Sequence, residues 1–225
     1  MKRPAWSWVG PIILVALTFG CSSPAPIAKA RVTISKPLDA PAIRALLDRM
    51  ESGHKLSDLD TKDLIKTATG GEYLTDVQAL IVLSRAVQLK QFELDDLKFV
   101  IQNKVITEDE SGVFTFLQIY ASALGIGPPS SAEFDTIKSK LADERPAKLT
   151  QKERGFVEAR TQPKQTSGLA MVGWVILSRP SLEVGDQAWF EKRITSQRAH
   201  YEAKQVQFYD FVLQCMKLKF ESPSP

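Results

Sequence analysis

The sequence predicts an all-α fold from three observations: the placement of the prolines, the spacing of the apolar residues and the lack of a convincing strand pair. No proline occurs between Ala42 and Gly127 or between Ser181 and Ser222, and proline interrupts helices. Apolar side chains within these stretches recur three and four positions apart, as one helix face requires. We expect a helical bundle or an irregular helical-hairpin array of about eight to nine helices, ending in a long C-terminal helix.

Residues that commonly cap helices mark the first three predicted elements. Asp39 can cap a first helix, and Thr75 can cap a third. The second begins at Ser57 or Thr61 and stops at Gly70-Gly71. Because apolar residues cover two faces of the third helix, we expect that helix to be largely buried.

Five further helices are predicted before the C-terminal one. They centre on residues 94–101, 113–124, 134–141, 150–157 and 168–177. Thr150 and Glu153 have the spacing of a capping box, which marks a helix start. Leu59-Asp60 recurs as Leu94-Asp95, 35 residues later, and this period suits stacked helical hairpins. The matches are few, so a bundle and a hairpin array remain alternatives.

The last predicted helix begins at Asp186 and continues to about Phe220, which is roughly 50 Å at 1.5 Å per residue. Its apolar residues follow the spacing of a coiled-coil seam. Such a helix can pack along its own domain, or one end can project and pair with an envelope protein or a second copy of the chain. The candidate partner-binding residues are Phe190, Ile194, Tyr201, Phe208 and Phe211.

An apolar run, GLAMVGWVIL, occupies residues 168–177. Ten residues are too few to span a bilayer, so we expect a central buried helix. Met171 and Trp174 allow an alternative, in which they line a pocket where a periplasmic carrier holds a lipophilic ligand.

No recognisable catalytic or metal-binding motif occurs in the sequence. His54 and His200 are the two histidines, and neither has a second histidine at a ligand spacing. Cys215 lies about 22 Å along the predicted last helix from His200, so these two cannot form a catalytic pair. We expect no metal, no cofactor and no enzymatic activity, with a site of dispersed carboxylates as the alternative. Nucleic-acid binding is not expected, because the chain has no sustained basic block.

The N-terminus has the order of a secretory signal. Lys2 and Arg3 precede an apolar run from Val9 to Phe19, which ends at Gly20-Cys21. This order resembles a bacterial lipoprotein signal. The resemblance implies that residues 1–20 are removed and that Cys21 carries fatty acyl chains as the first mature residue. Loss of the two cations lowers the net charge from +3 to +1, so the basic balance is largely a targeting feature.

Two alternatives to lipidation remain open. Ala28-Lys29-Ala30 fits a signal-peptidase site that would release a soluble protein beginning at Arg31, and the segment could also stay as an uncleaved anchor. Residues 21–38 are rich in proline and are predicted to form a tether, and residues 39–225 are predicted to form a single helical domain.

These features predict a lipid-anchored envelope protein that acts as a helical interaction or assembly module. Ser22 and Ser23 follow Cys21 with no aspartate. In an organism with two membranes, the lipoprotein resemblance then implies the outer membrane, with the domain facing the periplasm. The membrane, through the lipid, and an envelope protein or second copy, through the C-terminal helix, are the predicted partners.

Overall fold

The chain is all-helical wherever its structure is described. The computed structural model describes residues 36–127, 131–141 and 145–221, and no strand occurs among them. These described residues form ten α-helices, in order: α1 (Ala40–Glu51), α2 (Asp58–Ala68), α3 (Tyr73–Gln88), α4 (Leu94–Thr107), α5 (Glu110–Ala123), α6 (Ser131–Lys140), α7 (Gln151–Arg160), α8 (Leu169–Leu177), α9 (Val184–Gln197) and α10 (Ala203–Phe220). The predicted all-α fold with a long C-terminal helix is confirmed.

Side-chain caps begin several of these helices where the sequence predicts them. The Asp39 carboxylate accepts a hydrogen bond from the Ala42 amide at 2.9 Å, at the start of α1. Ser57 forms a capping box at the start of α2, and Thr150 with Glu153 forms another at α7. Each cap satisfies backbone amides that the first helical turn leaves without partners.

The predicted N-cap of α3 at Thr75 is wrong by three residues, because Glu72 occupies that position. The helix begins at Tyr73, directly after the Gly70-Gly71 turn, where Gly71 has a φ of +97°. The Thr75 hydroxyl lies inside the first turn and donates to the Glu72 carbonyl at 2.9 Å. The glycines complete the reversal early, so the chain needs no further residues before it becomes helical.

The last helix is not the continuous rod predicted from Asp186 to Phe220. A 3₁₀ turn at Arg198–His200 and an extended Tyr201 separate α9 from α10. The Tyr201 hydroxyl donates to the Thr161 carbonyl at 2.8 Å, and the Arg198 guanidinium binds both Asp210 carboxylate oxygens across the corner. The bend lets both halves bury their apolar faces in the same core, and it accounts for the tenth helix.

The helices are arranged as hairpins stacked side by side. Helix α2 packs against α3, α4 against α5, and α7 against α8. One helix of each hairpin joins a series in which α1, α3, α5, α8 and α10 each pack against the next. The Ser84 hydroxyl donates to the Ile119 carbonyl at 3.2 Å between α3 and α5, across 35 residues. Helix α10 also packs against α4, so the helices enclose one core, consistent with the helical bundle among the two predicted alternatives.

Helix α8 lies at the centre of the core. Every residue from Leu169 to Leu177 is buried, as predicted for the apolar run. At Gly173 an added Cβ would lie 3.0 Å from the Leu117 side chain and 3.3 Å from Val212. Glycine therefore permits the close approach of α5 and α10 to α8.

A buried ion pair and a buried carboxylate hold the segment that leads into α7. Arg179 and Glu153 are both fully buried and paired, and Arg179 also donates to the Pro146 carbonyl. Asp186 accepts a hydrogen bond from the Leu149 amide at 2.6 Å. Backbone groups of an irregular segment are thereby satisfied inside the protein, where water does not reach them.

All described residues belong to one compact unit. The predicted signal peptide, Cys21 and residues 22–35 of the predicted tether lie outside the described residues. At the start of the described chain, the Lys36 amide donates to Asp63 and the Leu38 amide to Thr67. These bonds fasten the entry of the chain to α2.

Candidate functional site

An open groove runs along the surface between α1 and α3. It has a volume of about 800 Å³ and is lined by α1 residues between 40 and 48 and α3 residues between 78 and 82. Its floor is apolar and comprises Ile43, Leu47, Ile81 and Val82. We call this feature the α1–α3 groove.

Large apolar side chains on α3 face solvent beside the groove. Ile81 is 46% exposed, and Leu74, seven residues earlier on the same stripe, is 75% exposed. The expectation that α3 is largely buried is therefore wrong for this face, although Leu80, Val82 and Leu83 are in the core. Ile81 thus adds exposed apolar surface to the groove, whereas Leu74 is not among its lining residues.

The rim of the groove carries polar side chains with unused hydrogen-bonding capacity. Among the described residues, Arg44, Asp48 and Gln78 have no side-chain hydrogen bond or ion pair. Other charged side chains nearby do have ion-pair partners: Arg49 pairs with Asp60, and Arg85 pairs with Glu51. The rim can therefore bind polar groups of an occupant without first breaking an internal contact.

Helix α1 is the terminal member of the helix series, and in the described part of the chain it packs mainly against α3. Pro41, Arg44, Ala45 and Asp48 form an exposed stripe on it. Their spacing of three and four residues puts them on one helix face. This face is open, whereas α3, α5 and α8 each lie between two neighbours of the series.

Met171 and Trp174 do not line the α1–α3 groove. Both are buried in α8, at the centre of the core. The Arg145 guanidinium stacks over the Trp174 ring at 3.6 Å, and the Phe134 ring meets its edge at 5.1 Å. Burial lowers the pKa of Arg145 to about 10, which leaves it protonated at neutral pH. The indole is thus packed by neighbours of this chain.

The candidate residues of the predicted partner-binding helix lie in the core of their own chain. All five are buried: Phe190, Ile194, Tyr201, Phe208 and Phe211. The Phe211 ring lies 4.1 Å from that of Tyr120 on α5. The seam therefore packs along its own domain, the first of its two predicted roles, and a partner of α9 or α10 would have to contact other side chains.

The remaining candidate catalytic and metal-binding side chains do not form a site. Cys215 is buried, and burial raises the pKa of its thiol to about 12, so the thiolate needed for nucleophilic attack does not form at neutral pH. His54 and His200 are exposed on separate elements. Within the described residues, no three His, Cys, Asp or Glu side chains are grouped so as to hold a metal ion.

Sequence reasoning missed the groove, although part of its signal was visible. Leu74, Gln78 and Ile81 share one face of α3, and a glutamine between two apolar residues is typical of a solvated stripe. No sequence pattern indicates that Arg44 and Asp48 are exposed and without partners, because this depends on which helices pack beside α1.

No helix in residues 36–127, 131–141 or 145–221 is long and apolar enough to cross a membrane. Comparison of the chain with protein-family models, with curated proteins and with solved structures finds no match.

Proposed function

We propose that this chain is a non-enzymatic, lipid-anchored protein of the bacterial cell envelope that serves as a helical protein–protein interaction module, with the α1–α3 groove as its docking face. The observation that carries the proposal is the groove itself, an apolar floor with exposed Ile81 and a rim of unpartnered Arg44, Asp48 and Gln78. Apolar grooves with a few free polar groups suit an amphipathic helix or peptide, since the floor supplies affinity and the rim supplies orientation.

The anchoring half of the proposal rests on Cys21 and its signal-like surroundings. Each buried CH₂ of an acyl chain contributes about 0.8 kcal/mol, so several chains retain a domain of this size on a bilayer. Residues 21–35 would act as the proline-rich tether, because Lys36 and Leu38 are already bonded to α2. Extended at about 3.1 Å per residue, these residues would reach on the order of 45 Å. The domain would then meet partners near the membrane surface, at the outer membrane in an organism that has one.

Cys21→Ala is expected to move the protein out of the membrane fraction, because the acylated thiol is lost while the helical domain is unchanged. Fractionation of cells followed by immunoblotting measures the distribution. Ser23→Ala is the matched control and should stay with the membrane. A wild-type protein recovered in the soluble fraction, with Arg31 as its N-terminus by mass spectrometry, would refute the anchor.

Ile81→Asp is expected to abolish retention of the groove's partner while changing the free energy of unfolding by less than about 1 kcal/mol, because the site is half exposed. Affinity purification of a tagged copy from cells that also make an untagged copy, with quantitative mass spectrometry, measures retention of a partner, a second copy included. Urea unfolding measures the free energy. Phe99→Asp is the matched control, since Phe99 is 66% exposed on α4, outside the groove. The same co-purifying proteins in equal amounts from both variants would count against the groove as the docking face.

A further inference from the structure

We infer that the occupant of the α1–α3 groove is a second copy of this chain, bound so that a twofold axis relates the two α1 helices. The inference rests on the proposed function and names its partner. In such an isologous contact the same surface serves on both copies, so the surface must be complementary to itself.

The charges on α1 have this self-complementarity. Arg44 and Asp48 are four residues apart on one exposed face, carry opposite charges and have no ion-pair partner among the described residues. A twofold axis that crosses α1 at the level of Leu46 makes the helices antiparallel. It then places Arg44 of each copy opposite Asp48 of the other, so that two ion pairs form across the axis.

The shape of α1 suits the same arrangement. Ala45 lies next to the level of the axis, and Pro41 lies one turn away on the same exposed stripe. Small side chains at the crossing point allow two helix backbones to approach closely. Leu47 and Ile81 flank the stripe on the side of α3 and would become buried against α1 of the second copy.

The position of α1 in the helix series supports a second copy over an unrelated helix. Each inner helix of a stacked array has neighbours on both sides, whereas a terminal helix needs a polar outer face or a cover. The outer face of α1 combines alanine and proline with one charge of each sign. Pairing α1 with its own copy in the groove covers the exposed stripe and uses both charges.

Lipid anchoring would make a modest contact sufficient. Copies tethered to one membrane are confined to a thin layer, which raises their effective concentration. A dimer that is weak in dilute solution can therefore be populated on the membrane. The test consequently needs a concentration series rather than a single dilute measurement.

The decisive experiment is a charge exchange in the full-length chain purified in detergent. Arg44→Asp and Asp48→Arg should each raise the dimer dissociation constant by about tenfold or more, because each places like charges opposite one another twice. The double variant R44D/D48R restores opposite charges and should return the constant to near the wild-type value. Sedimentation velocity over a range of protein concentrations measures the dissociation constants of these four proteins and of Ile81→Asp.

Cross-linking locates the axis independently. Ala45→Cys should form a disulfide-linked dimer under mild oxidation, since residue 45 lies beside its own copy across the axis. Phe99→Cys, at an exposed site on α4, is the matched control and should not. A monomeric wild type at every concentration overturns the inference, and so does a dimer that none of the Arg44, Asp48 and Ile81 substitutions weakens.

Failure of this inference is distinguishable from failure of the proposed function. The protein could be monomeric, with Ile81→Asp losing a specific envelope protein that Phe99→Asp retains. That result would refute the second copy as the occupant and would support the interaction module. A third outcome is a monomer in which Ala45→Cys reacts with a thiol reagent only after residues 24–34 are deleted. That result would assign the groove to the chain's own tether, and it would also overturn the inference.

Discussion

Arg179→Met is expected to lower the free energy of unfolding by about 3–5 kcal/mol, since breaking one side of a buried ion pair leaves the other charge uncompensated. Arg179 and Glu153 are both fully buried, and Arg179 also donates to the carbonyls of Pro146 and Lys148. The substitution therefore leaves the Glu153 carboxylate buried without its counter-charge. It also removes the donors that hold the chain segment preceding α7. Urea unfolding of the full-length chain, followed by far-ultraviolet circular dichroism, measures the change.

Two matched variants separate burial from charge. Arg49→Met breaks a solvent-facing ion pair with Asp60 and should cost no more than about 1 kcal/mol. Replacing Glu153 and Arg179 together by methionine should recover part of the loss, because no unpaired charge remains inside. If Arg179→Met were no more destabilising than Arg49→Met, the buried pair would not be a determinant of stability.

Phe211→Ala is expected to lower the free energy of unfolding by about 3–5 kcal/mol, as aromatic truncations in well-packed cores do. Its ring is fully buried on α10, and its centroid lies 4.1 Å from that of Tyr120 on α5, with the two rings tilted by 30°. Removing it opens a cavity between α5 and α10, which relaxation of the two helices fills only in part. The same urea titration measures the loss, and the slope of the transition reports whether unfolding remains two-state.

Leu218→Ala is the matched control, because Leu218 lies on the same helix but is 48% exposed. Its effect should stay within about 0.5 kcal/mol, as for most surface substitutions. Equal effects at the two positions would mean that the Phe211 face of α10 is not packed against its own domain.

The helix assignments could be predicted from sequence because their determinants are local. Asp39, Ser57 and Thr150 cap helices through atoms within three residues of themselves. The apolar run of α8 is buried as predicted, because a helix that is apolar on every face is stable only inside the core. The resemblance of residues 1–21 to a lipoprotein signal is equally local, and the anchor remains a prediction to be tested through Cys21.

The break between α9 and α10 could not be predicted in the same way. Arg198 through Tyr201 contain no proline or glycine, and the apolar spacing continues across them. The bend is stabilised by contacts to distant residues, in particular from Tyr201 to the Thr161 carbonyl and from Arg198 to Asp210. Long-range contacts of this kind leave no periodic signal in the chain.

By itself, the sequence determined the all-α class, the order of the helices and the central burial of α8, because capping, proline placement and periodicity act over one or two turns. Only the tertiary structure decided where the chain turns back at Tyr201 and which apolar faces stay open. Ile81 and Leu80 are neighbours in an apolar stretch, yet α5 and the core cover one while α1 leaves the other half exposed. Periodicity marks a face as apolar, but whether that face is covered depends on which other helix the fold places beside it.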